Sequence, residues 1–227
     1  MKRGMIMGAA LALAAAAAFG AWTYDSQWGS YGTGNGQFNS PYGIDIASGG
    51  NVYVTDYGND RIQYFNAAGS YLGRWGTYGS GNGQFYGTTG VGVATNGNVY
   101  VADEDNSRIQ YFTATGSYLG QWGSEGSGAG QFDLPDGVAV GSSGNVYVGD
   151  WGNDRVQYFT ATGSYLGQWG SYGSGNGQFD YPYYVAISPS GSLAYVTDQD
   201  NYRVQCFRQV NPSILPTSLG KVKAVFR

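Results

Sequence analysis

Short apolar segments separated by glycine- and asparagine-bearing turns run along most of the chain. In the first group, Gly43–Ile46, Asn51–Thr55, Arg61–Phe65 and Tyr71–Trp75 read as four strands. Between them lie Ser-Gly-Gly, Tyr-Gly-Asn-Asp and Asn-Ala-Ala-Gly, and Gly and Asn supply the positive φ that tight turns require. Val52, Tyr53 and Val54 are apolar in succession, which suits a sheet covered on both faces. A different pattern opens the chain, where Lys2 and Arg3 precede an alanine-rich apolar run from Met5 to Phe19. With small residues at Ala18 and Gly20, residues 1–21 read as a secretory signal peptide, and an uncleaved anchor is the alternative.

The strand group recurs. Phe38, Phe85, Phe132 and Phe179 each close a Gly-Gln-Phe at intervals of 47, and Trp28, Trp75, Trp122 and Trp169 keep the same interval. Arg61, Arg108 and Arg155 follow suit, with Arg203 one residue late because of an insertion in the Ser188–Ser192 turn. Four antiparallel strands in such a period make one blade of a propeller. The expected fold is all-β: a β-propeller of four blades over residues 22–207, followed by a tail at 208–227. Trp22–Trp28 aligns with the fourth-strand segment Gly69–Trp75, and the last repeat stops after its third strand at Phe207. The N-terminal strand is therefore expected to pair beside Arg203–Phe207 and close the ring, hiding both edges. An open arc that pairs with a second copy is the alternative.

The segments Pro41-Tyr-Gly-Ile, Asn51-Val-Tyr-Val-Thr-Asp56 and Asn59-Asp-Arg-Ile-Gln-Tyr-Phe65 together resemble the NHL repeat, and three further copies follow. That resemblance implies a β-propeller of NHL-type blades. It implies little about activity, since propellers host unrelated functions.

Composition narrows the chemistry. Histidine is absent, which removes imidazole metal ligands, His general bases and Ser-His or Cys-His nucleophiles. A single cysteine, Cys206, forms no internal disulfide. Residues 22–207 carry five Arg, no Lys and fifteen acids, a formal charge of −10 that disfavours nucleic acid as a partner. No cofactor is expected.

An Asp and an Arg recur five residues apart as Asp56/Arg61, Asp103/Arg108, Asp150/Arg155 and Asp198/Arg203. Four identical copies point to structural pairs holding the turn between second and third strands. Asp103-Glu-Asp105 and Asp198-Gln-Asp200 superficially resemble a calcium loop, but the Gly and distal Glu that such a loop needs are missing, and no metal site is expected. Positions that break the repeat are more informative. The loops at the start of the first strands and after the second strands share one propeller face, which gathers Tyr42, Asp45, Tyr57, Glu104, Asp105, Asp136, Trp151, Tyr183 and Asp200 as candidate ligand-binding residues. Aromatic rings among carboxylates suit a cationic peptide or a sugar. The expectation is a secreted, periplasmic or extracellular, non-enzymatic binding module for a protein, peptide or glycan. A structural surface role is the alternative, and a metal-dependent lactonase- or lyase-like enzyme is the more distant one.

Overall fold

The computed structural model describes residues 23–210. The expected signal segment and residues 211–227 of the tail lie outside them. Blade 1 consists of β1 (Pro41–Ile46), β2 (Val52–Asp56), β3 (Arg61–Phe65) and β4 (Tyr71–Trp75). Blade 2 follows with β5 (Thr88–Val93), β6 (Val99–Asp103), β7 (Arg108–Phe112) and β8 (Tyr118–Trp122). Blade 3 holds β9 (Pro135–Val140), β10 (Val146–Asp150), β11 (Arg155–Phe159) and β12 (Tyr165–Trp169). The last sheet has three strands, β13 (Pro182–Ile187), β14 (Leu193–Asp198) and β15 (Arg203–Arg208). Every sheet is antiparallel in sequence order, and the whole is a four-bladed β-propeller. Arg208 thus belongs to the last strand rather than to the tail. The Tyr-Gly-Asn turn at 57–59 and its equivalents at 104–106 and 151–153 tighten into single 3₁₀ turns, each ended by a left-handed residue such as Asp60.

The core lies between blades. Ile62 and Tyr53 of blade 1 pack against Phe85, Val91, Val99 and Phe112 of blade 2, and the same residue types repeat at the next two joints. Phe85, Phe132 and Phe179 are fully buried, so each Gly-Gln-Phe anchors its connector beneath the following blade. Gly116 and Gly163 are met closely by the rings of Trp75 and Trp122 of the preceding blade.

The Asp–Arg pairs form in all four blades, with Nε to Oδ2 distances of 2.6 to 2.7 Å. Only Nε reaches the carboxylate, so the pairing is not bidentate. In blade 2 the Nη groups of Arg108 instead donate to the carbonyls of Ser80, Gly81 and Gln84 in the connector. Asp103 also accepts from Gln110, Asn106 and the backbone N–H of Tyr86. One buried carboxylate thereby fastens a strand, a 3₁₀ turn and a connector.

The innermost strands pack β1 on β5, β5 on β9 and β9 on β13. Their close approach needs glycine: a Cβ at Gly90 would meet the backbone carbonyl of Asp136, and one at Gly137 that of Tyr183. Gly90→Ala is expected to push blades 2 and 3 apart and lower stability by about 1–3 kcal/mol, measurable by urea denaturation. The equivalent residue of β13 is Tyr184, whose ring stacks on Tyr42 of β1 with centroids 6.0 Å apart.

Blades 4 and 1 do not pack on each other as the blades of the other joints do. Ile44 and Val204 are each 64% exposed, whereas their equivalents Val91 and Ile62 are buried. The expected pairing of the N-terminal segment with β15 is not present among the described residues: residues 23–30 form no strand, and no described strand lies outside β15. The physical reason is where Trp28 sits. It packs on Phe65 and over Gly69, as Trp75 packs on Phe112 and over Gly116, which ties the segment to blade 1.

Candidate functional site

Pro41 pairs with Asp56 in the antiparallel register, so first strands begin beside the 3₁₀ turns that follow the second strands. One mouth of the channel is therefore built from repeat-breaking positions. The second residues of the first strands are Tyr42, Thr89, Asp136 and Tyr183, and the first residues of the turns are Tyr57, Glu104 and Trp151.

Asp136 is the centre of this mouth. It is 1% exposed, and its Oδ2 accepts from the Tyr42 hydroxyl across the channel at 3.0 Å. Its Oδ1 is buried with no hydrogen-bond partner, and so is the Thr88 hydroxyl at the start of β5. No ion pair to Asp136, Glu104, Asp105 or Asp200 exists among the described residues, because the four bridges formed all use the recurring Asp–Arg pairs. Burial pushes the Asp136 carboxyl up to about 7, a rise that the Tyr42 bond opposes and the Glu104 charge reinforces. Burial, with Asp105 adding, likewise pushes Glu104 up to about 7. Tyr184 is raised to about 12, first by burial and then by Asp136, and the Tyr42 phenol is raised for the same reasons.

The remaining candidates divide. Tyr57 lies 6.1 Å from Tyr42 between ring centroids and borders the Glu104 and Asp105 carboxylates around Gly87. Tyr183 meets Trp151 edge to face at 5.7 Å. One face of Trp151 is already covered, because Tyr181 stacks on it at 4.7 Å. Asp45 is occupied as well: it accepts from the backbone N–H groups of Ile46 and Val93, stapling β1 to β5. Asp200 is an exposed residue of the turn after β14, and its charge acts on Tyr183 together with those of Asp136 and Glu104. Tyr184, Tyr181 and Thr88 join the site without having been singled out. Tyr184 was detectable as the one departure from the column Gly43, Gly90 and Gly137, and Thr88 as the departure from Pro41, Pro135 and Pro182. Among the described residues, no group of three acids or cysteines is arranged to hold a metal ion. No described helix is long and apolar enough to cross a membrane.

Fold and channel define a β-propeller. A family model described as NHL repeat matches residues 38–65, 85–112 and 132–159, in blades 1 to 3, and the chain is an NHL-repeat β-propeller. Comparison with curated proteins gives no match. Among solved structures, the chain is similar to one in a Nidogen/Laminin complex, with a TM-score of 0.56 and 16% identity over 74% of this chain and 60% of that one. It is also similar to virginiamycin B lyase from Staphylococcus aureus, with a TM-score of 0.53 and 16% identity over 76% of this chain and 57% of that one. A third is Kuenenia stuttgartiensis hydrazine synthase, with a TM-score of 0.54, 14% identity and coverage of 74% and 45%. The chain spans between 45% and 60% of the length of these structures, and at such identities the likeness concerns the fold.

Proposed function

We propose that the protein is a non-enzymatic, exported interaction module whose channel mouth binds a cationic group of a protein or peptide, the side chain of Lys or Arg. The observation that carries this reading is the Asp136 carboxylate, buried with Oδ1 unpartnered and with Tyr42, Tyr183 and Tyr184 around it. A buried polar atom left without a partner costs about 1–3 kcal/mol, and a donor from a ligand removes that cost on binding. Aromatic walls add cation–π attraction. The acidic body steers basic partners and repels nucleic acid, which keeps glycans and proteins as the relevant ligand classes. The complex in the Nidogen/Laminin structure supports a protein-binding use of such a fold.

The test is calorimetric titration with matched Lys-rich, Glu-rich and oligosaccharide ligands. Binding confined to the basic peptide is expected, weakened about 10- to 100-fold by Asp136→Asn and reduced by salt as surface charges are screened. Equal binding of the acidic peptide, or indifference to Asp136→Asn, would overturn the reading. A second reading rests on the same carboxyls, since a group held near neutral pH suits proton transfer and one structural relative is a lyase. Turnover of a substrate, lost in Asp136→Asn, would favour it.

A further inference from the structure

Three joints inside the chain show how one blade receives the next. The departing face offers Tyr53 and Ile62 or their equivalents, and the arriving face offers Val91 and its equivalents. Blade 4 presents the departing set as Tyr195 and Val204, 42% and 64% exposed. Blade 1 presents the arriving set as Ile44, 64% exposed, with Ile46 beside it at 61%. Among the described residues, blades 1 and 4 thus present the two halves of the chain's own repeating interface uncovered.

The strand inventory has the same complementarity. Among the described residues the fourth sheet has no outer strand, and a groove of about 1020 Å³ opens beside β15, lined by Trp169, Gln178, Val204, Cys206 and Phe207. Residues 23–28 are exposed and unpaired, share Tyr24 and Trp28 with the outer-strand pattern of Tyr71 and Trp75, and already hold Trp28 in its outer-strand place over Phe65. In a complete blade, Trp75 pairs with Ile62 on one side and packs on the next blade's Phe112 on the other. Trp28 has the second relation and lacks the first.

We propose that two copies of this chain assemble head to tail into a closed eight-bladed ring, each copy's residues 23–28 adding to the other's β15 as the missing outer strand. The joint is heterologous, a departing face on an arriving face, and such a joint closes when the rotations complete a circle. Eight blades lie within the range that propellers adopt, and closure removes both free edges. Tyr184 stands in β13 where the other joints use glycine, so the close backbone approach of those joints is not repeated there, and the new joint rests on side chains such as Ile44, Tyr195 and Val204.

The register makes the test specific. Tyr64 pairs with Gly73, so by repeat equivalence Cys206 faces Ser26 of the other copy. Cys206 is the only cysteine, and it is exposed. Mild oxidation of Ser26→Cys should convert most of the chain to a covalent species of twice the single-chain mass, while the wild type treated alike should not cross-link. Light scattering should give a dimer for the wild type and monomers for Ile44→Glu and Val204→Glu, whose sites are exposed in one copy. Mixing these two variants should restore a dimer through the one intact joint. A wild-type monomer, a disulfide formed within a single chain, or a mixture that stays monomeric would overturn the proposal. A ladder of higher multiples would overturn the closed ring.

Discussion

Asp103→Ala should be among the most damaging single substitutions in this protein, lowering stability by about 3–5 kcal/mol. The carboxylate is fully buried, and removing it leaves the Arg108 guanidinium, itself only 7% exposed, without its counter-charge. Gln110, Asn106 and the Tyr86 N–H lose their acceptor at the same time. Blade 2 has a neighbour on each side, so water cannot reach the site without opening a joint. Asp198→Ala should cost less, because its partner Arg203 is 29% exposed in the side chain and water replaces the lost contacts. Equilibrium denaturation of the two variants checks the order. Equal losses would mean that the networks do not depend on the blade that covers them.

Asp136→Asn is expected to act in the opposite direction and to raise stability at pH 8 by about 2 kcal/mol, while weakening ligand binding. The folded-state carboxyl is raised to about 7 from an ordinary value of 3.8, chiefly by burial. A folded chain that holds its proton to higher pH binds more protons than the unfolded chain across that window. Stability therefore falls as pH rises from about 4 to about 7, and Glu104, raised likewise, steepens the fall. The amide keeps an acceptor for the Tyr42 hydroxyl and carries no charge to desolvate, although its NH2 group takes back part of the gain. Melting temperatures measured from pH 5 to pH 8 should decline in the wild type and decline less steeply in Asp136→Asn, where Glu104 still titrates. Parallel profiles would show that Asp136 is not the group responsible. A stability cost placed at the channel mouth is what a binding site requires, because the energy withheld in folding is available to the ligand.

The architecture was legible in the sequence because it is periodic. The interval between Phe38, Phe85, Phe132 and Phe179 fixes the blade, and Arg61–Phe65 and Tyr71–Trp75 match β3 and β4 end to end. Pairing of Asp with Arg was legible from spacing, but the second arm of each guanidinium was not, because its acceptors are carbonyls some 27 residues away that every residue type shares. Closure by Trp22–Trp28 was inferred from a strand missing at one end and spare at the other. That inference contains no information on whether donor and acceptor belong to one chain, and Trp28 holds the spare segment to blade 1. At the mouth, residue type named Tyr42, Glu104 and Asp136 alongside Asp45, whose oxygens both accept backbone N–H groups, and Trp151, one face of which Tyr181 covers, and it did not tell these apart. What a side chain's neighbours leave free is a property of packing, and no one-dimensional pattern records it.

The most direct measurement of the central claim is the proton released when a Lys-rich peptide binds, obtained by calorimetry near pH 6.5 in two buffers of different ionisation enthalpy. Half or more of the Asp136 and Glu104 carboxyls hold a proton there, and a cation at the mouth should expel it. The account predicts release of roughly one-half to one proton per peptide, falling towards zero at pH 8 and reduced in Asp136→Asn to the share that Glu104 supplies. Binding without proton release near pH 6.5, or with release unchanged in Asp136→Asn, would place the ligand elsewhere on the propeller.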